Sequence, residues 1–114
     1  MDEKQITIMV MKPGEDPEVK EVADCLKSYQ EIVKGYIQMV YLTDDIALVC
    51  NEEGKIHGLT PNRRFDLSFF TDIVVGNIIF VKVNNETGEF DSLTAKDIER
   101  LNKAFCGKAH ITEV

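Results

Sequence analysis

Short apolar runs separated by turn residues dominate the chain, and this pattern predicts a sheet of antiparallel strands. The run Gln5–Met11 is dense in β-branched and apolar side chains and ends at Lys12-Pro13-Gly14, which is typical of a strand buried on both faces. Tight turns such as Thr43-Asp44-Asp45 join neighbouring runs. Further strands are predicted at Tyr36–Leu42, Ile46–Cys50, Ile56–Leu59 and Asn77–Val83, with shorter ones at Glu18–Val22, Glu89–Asp91 and His110–Thr112.

Two stretches allow more than one interpretation. Within Asp72–Val83, the favoured interpretation is a short lead-in at Ile73–Val75 followed by one long strand. The alternative is that Gly76-Asn77 forms a turn between two separate strands. The stretch Phe65–Thr71 alternates imperfectly and fits either a loop with aromatic anchors or a short helical turn.

Glycine and proline mark the region between the fourth and fifth apolar runs. Gly54, in the turn Asn51–Lys55, is available for a positive φ. Gly58 lies inside the predicted strand Ile56–Leu59 and indicates a bulge or a close backbone approach. Pro61 restricts the residue before it to extended geometry, so Thr60–Arg64 is predicted to be a polar corner.

The stretch Asp24–Lys34 has the periodicity of an amphipathic helix. Leu26, Tyr29 and Val33 recur at positions i, i+3 and i+7 and form an apolar stripe. Asp24 is the predicted N-cap, and Gly35 stands at the position that usually ends a helix. The stripe predicts that this helix covers one face of the sheet.

A second helix begins after Thr94. Thr94 and Asp97 have the spacing of a capping box, with the shorter aspartate in place of glutamate. The apolar stripe that follows ends near Gly107 and consists of Ile98, Leu101 and Phe105. The chain is therefore expected to be a single domain, residues 1–114, with an α+β fold: a mainly antiparallel sheet of about six short strands with two helices packed on it.

Composition narrows the class of protein. The net charge of −7 argues against direct binding of nucleic acid, which needs an excess of Lys and Arg, and permits an acidic surface that meets a basic partner. No apolar run reaches 18 residues, so no membrane span is expected. With acidic residues at the start and no long apolar stretch there, no signal peptide is expected either, and a cytoplasmic location is predicted.

Residues with catalytic or metal-binding chemistry form no recognisable motif. The three cysteines are widely spaced and odd in number, so reduced thiols are expected. The soft metal ligands Cys25, Cys50, Cys106, His57 and His110 include no CxxC pair, and core packing is the favoured role for the cysteines. No catalytic residue, metal or cofactor is therefore predicted, and an enzymatic role is disfavoured.

The corner Pro61-Asn62-Arg63-Arg64 is the strongest candidate for a binding site. Adjacent arginines offer planar donors for a carboxylate or a phosphate. If the neighbouring hairpin folds back, the candidate ligand-binding residues are Lys55, His57, Asn62, Arg63 and Arg64. The competing interpretation is structural: one arginine pairs internally with Glu52, Glu53 or Asp66, and Asn62 caps the turn.

Several segments resemble a family of small proteins from bacteriophages and conjugative elements of Gram-positive bacteria, known only as a domain of unknown function. The segments are GYIQMVYL, ALVCNEEGKIHGLTPNRR, DIVVGNIIFV and DSLTAKDIERLNKAF, and together they span Ile6 to Phe105. The resemblance implies that the Glu53-Gly54-Lys55 turn and the Pro61-Asn62-Arg63 motif recur among the relatives. It implies a mobile-element gene but supplies no catalytic residue.

Two functions of different classes follow. The first is a non-enzymatic binding protein encoded by a mobile element, which counters a host defence or regulatory factor by occupying a host protein or sequestering a small ligand. The second is a domain that binds or hydrolyses a phosphorylated molecule such as a nucleotide at the Pro-Asn-Arg-Arg corner. The expected partner is accordingly a host protein or a small anionic ligand, and self-association into a homo-oligomer is a further possibility.

Overall fold

A computed structural model describes residues 4–66 and 71–107. It contains two helices, α1 (Leu26–Val33) and α2 (Ala95–Phe105). Its strands are β1 (Gln5–Met11), β2 (Glu18–Ala23), β3 (Ile37–Tyr41), β4 (Ile46–Asn51), β5 (Pro61–Asp66), β6 (Thr71–Val75), β7 (Ile78–Val83) and β8 (Phe90–Asp91). The predicted strand His110–Thr112 lies outside the described residues.

Six strands form one antiparallel sheet, in the order β2-β1-β7-β4-β3, with β8 paired to the end of β7. β5 and β6 form a separate antiparallel hairpin. The predicted α+β fold with a mainly antiparallel sheet and two helices is confirmed. None of the helices in the described ranges is long and apolar enough to cross a membrane.

The main sheet has a core on each face, because its central strands are buried on both sides. Ile8, Val49 and Ile79 pack toward α1 together with Tyr29 and Val33. The opposite face carries Met9, Leu48 and Phe80, which pack against α2 and the β5–β6 hairpin through Leu101, Phe65 and Val74. Alternation of side chains along each strand explains why consecutive residues of β4 and β7 belong to different cores.

In the region Ile56–Arg64, the predicted strand is a turn and most of the predicted corner is a strand. Ile56–Leu59 is not a strand, because its backbone folds back on the residues just before it: Gly58 N–H donates to Lys55 O, and Leu59 N–H donates to Gly54 O. The predicted corner Thr60–Arg64 instead enters β5, which continues to Asp66. Pro61 is tolerated as the first residue of this strand, where its missing N–H costs no ladder bond.

Gly76 separates two strands of different sheets. It adopts φ 78° between β6 and β7, so the alternative interpretation, two separate strands, is correct. The predicted strand Asn77–Val83 is present as β7, whereas the predicted lead-in Ile73–Val75 belongs to β6 of the other sheet. In the ambiguous stretch Phe65–Thr71, Phe65 completes β5 and is buried in the core, whereas 67–70 lie outside the described residues.

Helix α1 ends differently from its prediction. Cys25, not Asp24, is the N-cap, and the Asp24 carboxylate accepts a hydrogen bond from the Tyr29 hydroxyl. The left-handed residue at the other end is Lys34, with φ 65°, rather than Gly35. Glycine is needed at position 35 for a different reason, because a Cβ there would lie 2.6 Å from the Asn51 amide nitrogen.

The predicted capping box of α2 is present. Thr94 Oγ1 accepts a hydrogen bond from Asp97 N–H at 3.1 Å, and Asp97 Oδ2 accepts one from Thr94 N–H at 2.9 Å. Lys82 Nζ lies 3.1 Å from Asp97 and 2.9 Å from Asp45, which ties the helix to β7 and to the start of β4. Burial alone would raise the pKa of Asp97, but the hydrogen bonds from Thr94 and Lys82 outweigh it and lower that pKa.

The charge of Asp97 should make the free energy of unfolding depend on pH in the acidic range. A carboxyl group whose pKa is lowered in the folded state stabilises the fold above its unfolded pKa, and this contribution disappears as the pH falls through the folded pKa. We expect Asp97→Asn to lower the free energy of unfolding by about 1–2 kcal/mol near pH 7, and the difference from wild type to shrink below about pH 4.

Urea denaturation at a series of pH values measures this difference. Glu99→Gln, on the exposed side of the same helix, is the matched control and should follow the wild-type curve throughout. A deficit of Asp97→Asn that stays constant down to the acid limit would show that the carboxylate charge is not the source of the stabilisation.

Candidate functional site

Asn62 is fully buried and acts as a structural link. Its side-chain Nδ2 donates to Met11 O and to Gly76 O, both at 2.7 Å. The first acceptor ends β1 and the second precedes β7, so one amide fastens the β5–β6 hairpin to two neighbouring strands of the main sheet. Both donor positions of the amide are occupied, and Asn62 has no N–H left for a ligand.

Arg63 is also buried, with 4% of its surface exposed. Its Nη1 donates to Asn62 O and Oδ1 at 3.2 and 3.0 Å, and its Nη2 donates to Glu15 O at 2.9 Å. Its Nε has no hydrogen-bond partner in the described part of the chain. Burial lowers the pKa of Arg63, opposed by the nearby Asp16 carboxylate. The guanidinium therefore holds the β1–β2 loop through a backbone carbonyl.

The other three predicted binding residues lie at or near the surface, each beside a carboxylate. Arg64 Nε is 3.0 Å from Asp66, one of the internal partners considered for it. Lys55 Nζ is 2.5 Å from Asp72, and this hydrogen bond lowers the pKa of Asp72. His57 Nε2 is 3.5 Å from Glu53 Oε1.

The five predicted residues do not converge on one pocket. Lys55 lines a cleft of about 140 Å³ between the edge of β3 and β6. His57 lines a separate depression of about 300 Å³ with Tyr36 and Gln30. Asn62 and Arg63 lie in the interior and contact each other. Lys55 and His57 share the exposed turn that precedes β5 but line different depressions.

That turn, Glu52–Leu59, is closed by its own backbone. Besides the two bonds described above, Gly54 N–H donates to Asn51 O at 3.2 Å and His57 N–H donates to Glu53 O at 3.0 Å. Gly58 adopts φ 68°, whereas Gly54 does not use the positive φ that is available to it. Gly54 is required by space instead, because a Cβ there would lie 2.7 Å from Val75 Cγ2.

Both ends of the turn are held by buried contacts. The Asn51 amide donates to Val33 O and Lys34 O at 3.0 and 3.2 Å, and its oxygen accepts from Glu53 N–H at 2.7 Å. Asn51 thereby satisfies the last carbonyls of α1 and fixes the start of the turn at once. At the other end, the Leu59 side chain packs so closely on Gly76 that a Cβ there would lie 2.9 Å away.

This rigid turn displays an apolar side chain to solvent. Ile56 is 80% exposed, and Tyr36, whose carbonyl accepts a hydrogen bond from Glu52 N–H, is 65% exposed. The sequence pattern predicts neither residue as an exposed contact, because it assigns Tyr36 to the strand Tyr36–Leu42 and Ile56 to the strand Ile56–Leu59. The available signal was the position of Ile56 between Asn51-Glu52-Glu53-Gly54-Lys55 and His57-Gly58, an isolated isoleucine among turn residues.

The cysteines provide no reactive group in this region. Cys50 is buried beneath the 140 Å³ cleft, and burial, followed by the charge of Asp72, raises the pKa of its thiol to about 11. The thiol is therefore protonated at neutral pH. Across the described ranges, no three side chains of His, Cys, Asp or Glu are grouped to hold a metal ion.

The different roles of the polar residues have measurable consequences for stability. Asn62→Ala removes both hydrogen bonds to buried carbonyls and one acceptor of Arg63, so we expect a loss of about 2–4 kcal/mol in the free energy of unfolding. Arg64→Ala breaks one surface ion pair and should cost less than about 1 kcal/mol. Chemical denaturation of both variants tests this difference, and equal losses would contradict the structural role of Asn62.

Comparisons with known proteins place the chain in one family of domains. No curated protein and no solved structure matches the chain. Residues 6–106 match a family described as Domain of unknown function (DUF3846), and this range includes every helix and nearly every strand described above. The chain therefore belongs to the DUF3846 family of domains of unknown function.

Proposed function

We propose that this protein is a non-enzymatic binding protein of a mobile genetic element, which occupies a host protein through the Glu52–Leu59 turn. The observation that carries the proposal is the pairing of a rigid backbone with an exposed apolar side chain at Ile56. A loop that is already ordered loses little conformational entropy on binding, so its contacts contribute more fully to affinity.

The surroundings of Ile56 indicate the chemistry of the partner. Glu52 is exposed and Glu53 half-buried, and both lie on the same turn as Ile56. The chain as a whole carries a net charge of −7. A partner surface with an apolar pocket and a basic rim is complementary to this arrangement, since attraction between opposite charges steers the encounter and suppresses wrong partners.

Binding of a small anion has less support. Lys55, His57 and Arg64 are each paired with a carboxylate, so an anion would have to displace those carboxylates in a protein that is already acidic. The two remaining predicted residues are buried. These pairings favour the protein-binding hypothesis over the phosphorylated ligand.

Capture from a lysate of the host bacterium tests the proposal. The immobilised wild-type protein should enrich a host protein, and Ile56→Ala should reduce its recovery about tenfold, which corresponds to the loss of one apolar anchor. Because Ile56 is 80% exposed, the substitution should leave the free energy of unfolding within about 0.5 kcal/mol of wild type.

Leu26→Ala is the matched control, since Leu26 is another exposed aliphatic side chain, 56% exposed, and lies on α1. Recovery of the host protein should be unchanged by this variant. The proposal fails if wild type enriches nothing above the level of a bare matrix, or if Ile56→Ala captures the same protein as well as wild type does.

A further inference from the structure

The two edges of the main sheet differ in chemistry. Among the described strands, β2 forms one edge and β3 the other. β2 follows Pro17 and carries Glu18, Lys20 and Glu21, all exposed, which are the devices by which proteins keep an edge from pairing. β3 has the sequence Ile-Gln-Met-Val-Tyr, with no charged residue and no proline. One edge is therefore protected and the other is not.

The hydrogen bonds at the two ends of β3 establish which of its backbone groups are free to pair. Glu52 N–H donates to Tyr36 O, and Leu42 N–H donates to Ile46 O, both at 2.8 Å. Even-numbered residues of this strand therefore direct their N–H and C=O toward β4. By the alternation of an antiparallel ladder, the backbone groups of Ile37, Met39 and Tyr41 are directed outward, away from the sheet.

We infer that the partner of this edge is a second copy of the chain, and that β3 pairs antiparallel with itself about a two-fold axis at Met39. In that register Met39 faces Met39 of the other copy, and Ile37 faces Tyr41. Each of these is a pair of outward-directed residues, which exchange two N–H···O bonds in an antiparallel ladder. A shift by one residue would place outward groups opposite inward ones.

Side chains and charges fit the same register. Met39 and Tyr41 are each 40% exposed, and the pairing sets each tyrosine beside an isoleucine, a favourable cross-strand pair. Lys34 and Asp44 stand five positions before and after Met39, so the two-fold axis brings the Lys34 end of one strand to the Asp44 end of the other. Both are exposed, and neither forms an ion pair within the described ranges.

The inference goes beyond the proposed function and is tested on the purified protein alone. Sedimentation equilibrium should give a mass approaching twice the 12.9 kDa of one chain as the concentration rises. Met39→Pro removes an outward N–H but no bond to β4, so it should weaken dimerisation at least tenfold while the sheet stays intact.

Val19→Pro is the matched control at the opposite edge. Asp24 N–H donates to Lys4 O, so Val19 of β2, like Met39, directs its N–H outward, and the two side chains have similar exposure, 46% and 40%. This variant should dimerise as wild type does. If either proline variant is unfolded by circular dichroism, Met39→Lys and Val19→Lys replace the pair, because lysine also blocks an edge.

A charge exchange tests the register. Lys34→Asp should weaken dimerisation several-fold by placing like charges together, and adding Asp44→Lys to the same chain should restore it. The inference is overturned if wild type remains monomeric at the highest concentration, if Met39→Pro dimerises like wild type, or if the double variant is no better than Lys34→Asp. None of these outcomes bears on capture through Ile56, so the proposed function stands or falls separately.

Discussion

The placement of the second sheet depends on one buried amide. Asn62 is fully buried and donates to carbonyl groups at the end of β1 and before β7. A buried amide left without partners costs more than a typical hydrogen bond contributes, so this contact favours a single position of the hairpin. That position sets Phe65 and Val74 into the core beside α2 and brings Val75 against Gly54.

Side-chain amides have the same role at the end of α1. Asn51 satisfies the carbonyls of Val33 and Lys34, and Asn77 satisfies that of Ile32. The last carbonyls of a helix have no partner within the helix, and here the donors come from outside it, from the last residue of β4 and the residue before β7. The same arrangement holds the start of the turn that carries Ile56, because Asn51 Oδ1 also accepts a hydrogen bond from Glu53 N–H.

The sequence was informative where the deciding interactions are local. The apolar runs of β1 and β4 and the Thr94–Asp97 capping box depend on neighbours within a few residues, and each was predicted at or near its observed bounds. The polarity of the Pro-Asn-Arg-Arg segment predicts an exposed corner, whereas Asn62 and Arg63 are buried and form hydrogen bonds to residues 51 and 48 positions away. No local pattern encodes a hydrogen bond of that separation.

For the candidate site, too, local features could be predicted from the sequence and the exposure of side chains could not. Lys55 and His57 are predicted from residue type, and both lie on an exposed turn. The exposure of the apolar Ile56 between them is not predicted, because exposure is a property of the folded chain. The five predicted polar residues serve the interior or lie beside surface carboxylates. Large apolar side chains are exposed both at the turn, Ile56, and along β3, Met39 and Tyr41.

The strand order also determines when the fold can form. β7 lies at the centre of the main sheet, between β1 and β4, yet among the long strands it comes last in the chain. Met9 pairs with Phe80, so loop closure over most of the chain must precede completion of the core. Contacts of this separation slow folding. During synthesis, β1 with β2 and β3 with β4 can pair as hairpins, but they remain two unconnected halves until β7 leaves the ribosome and joins them.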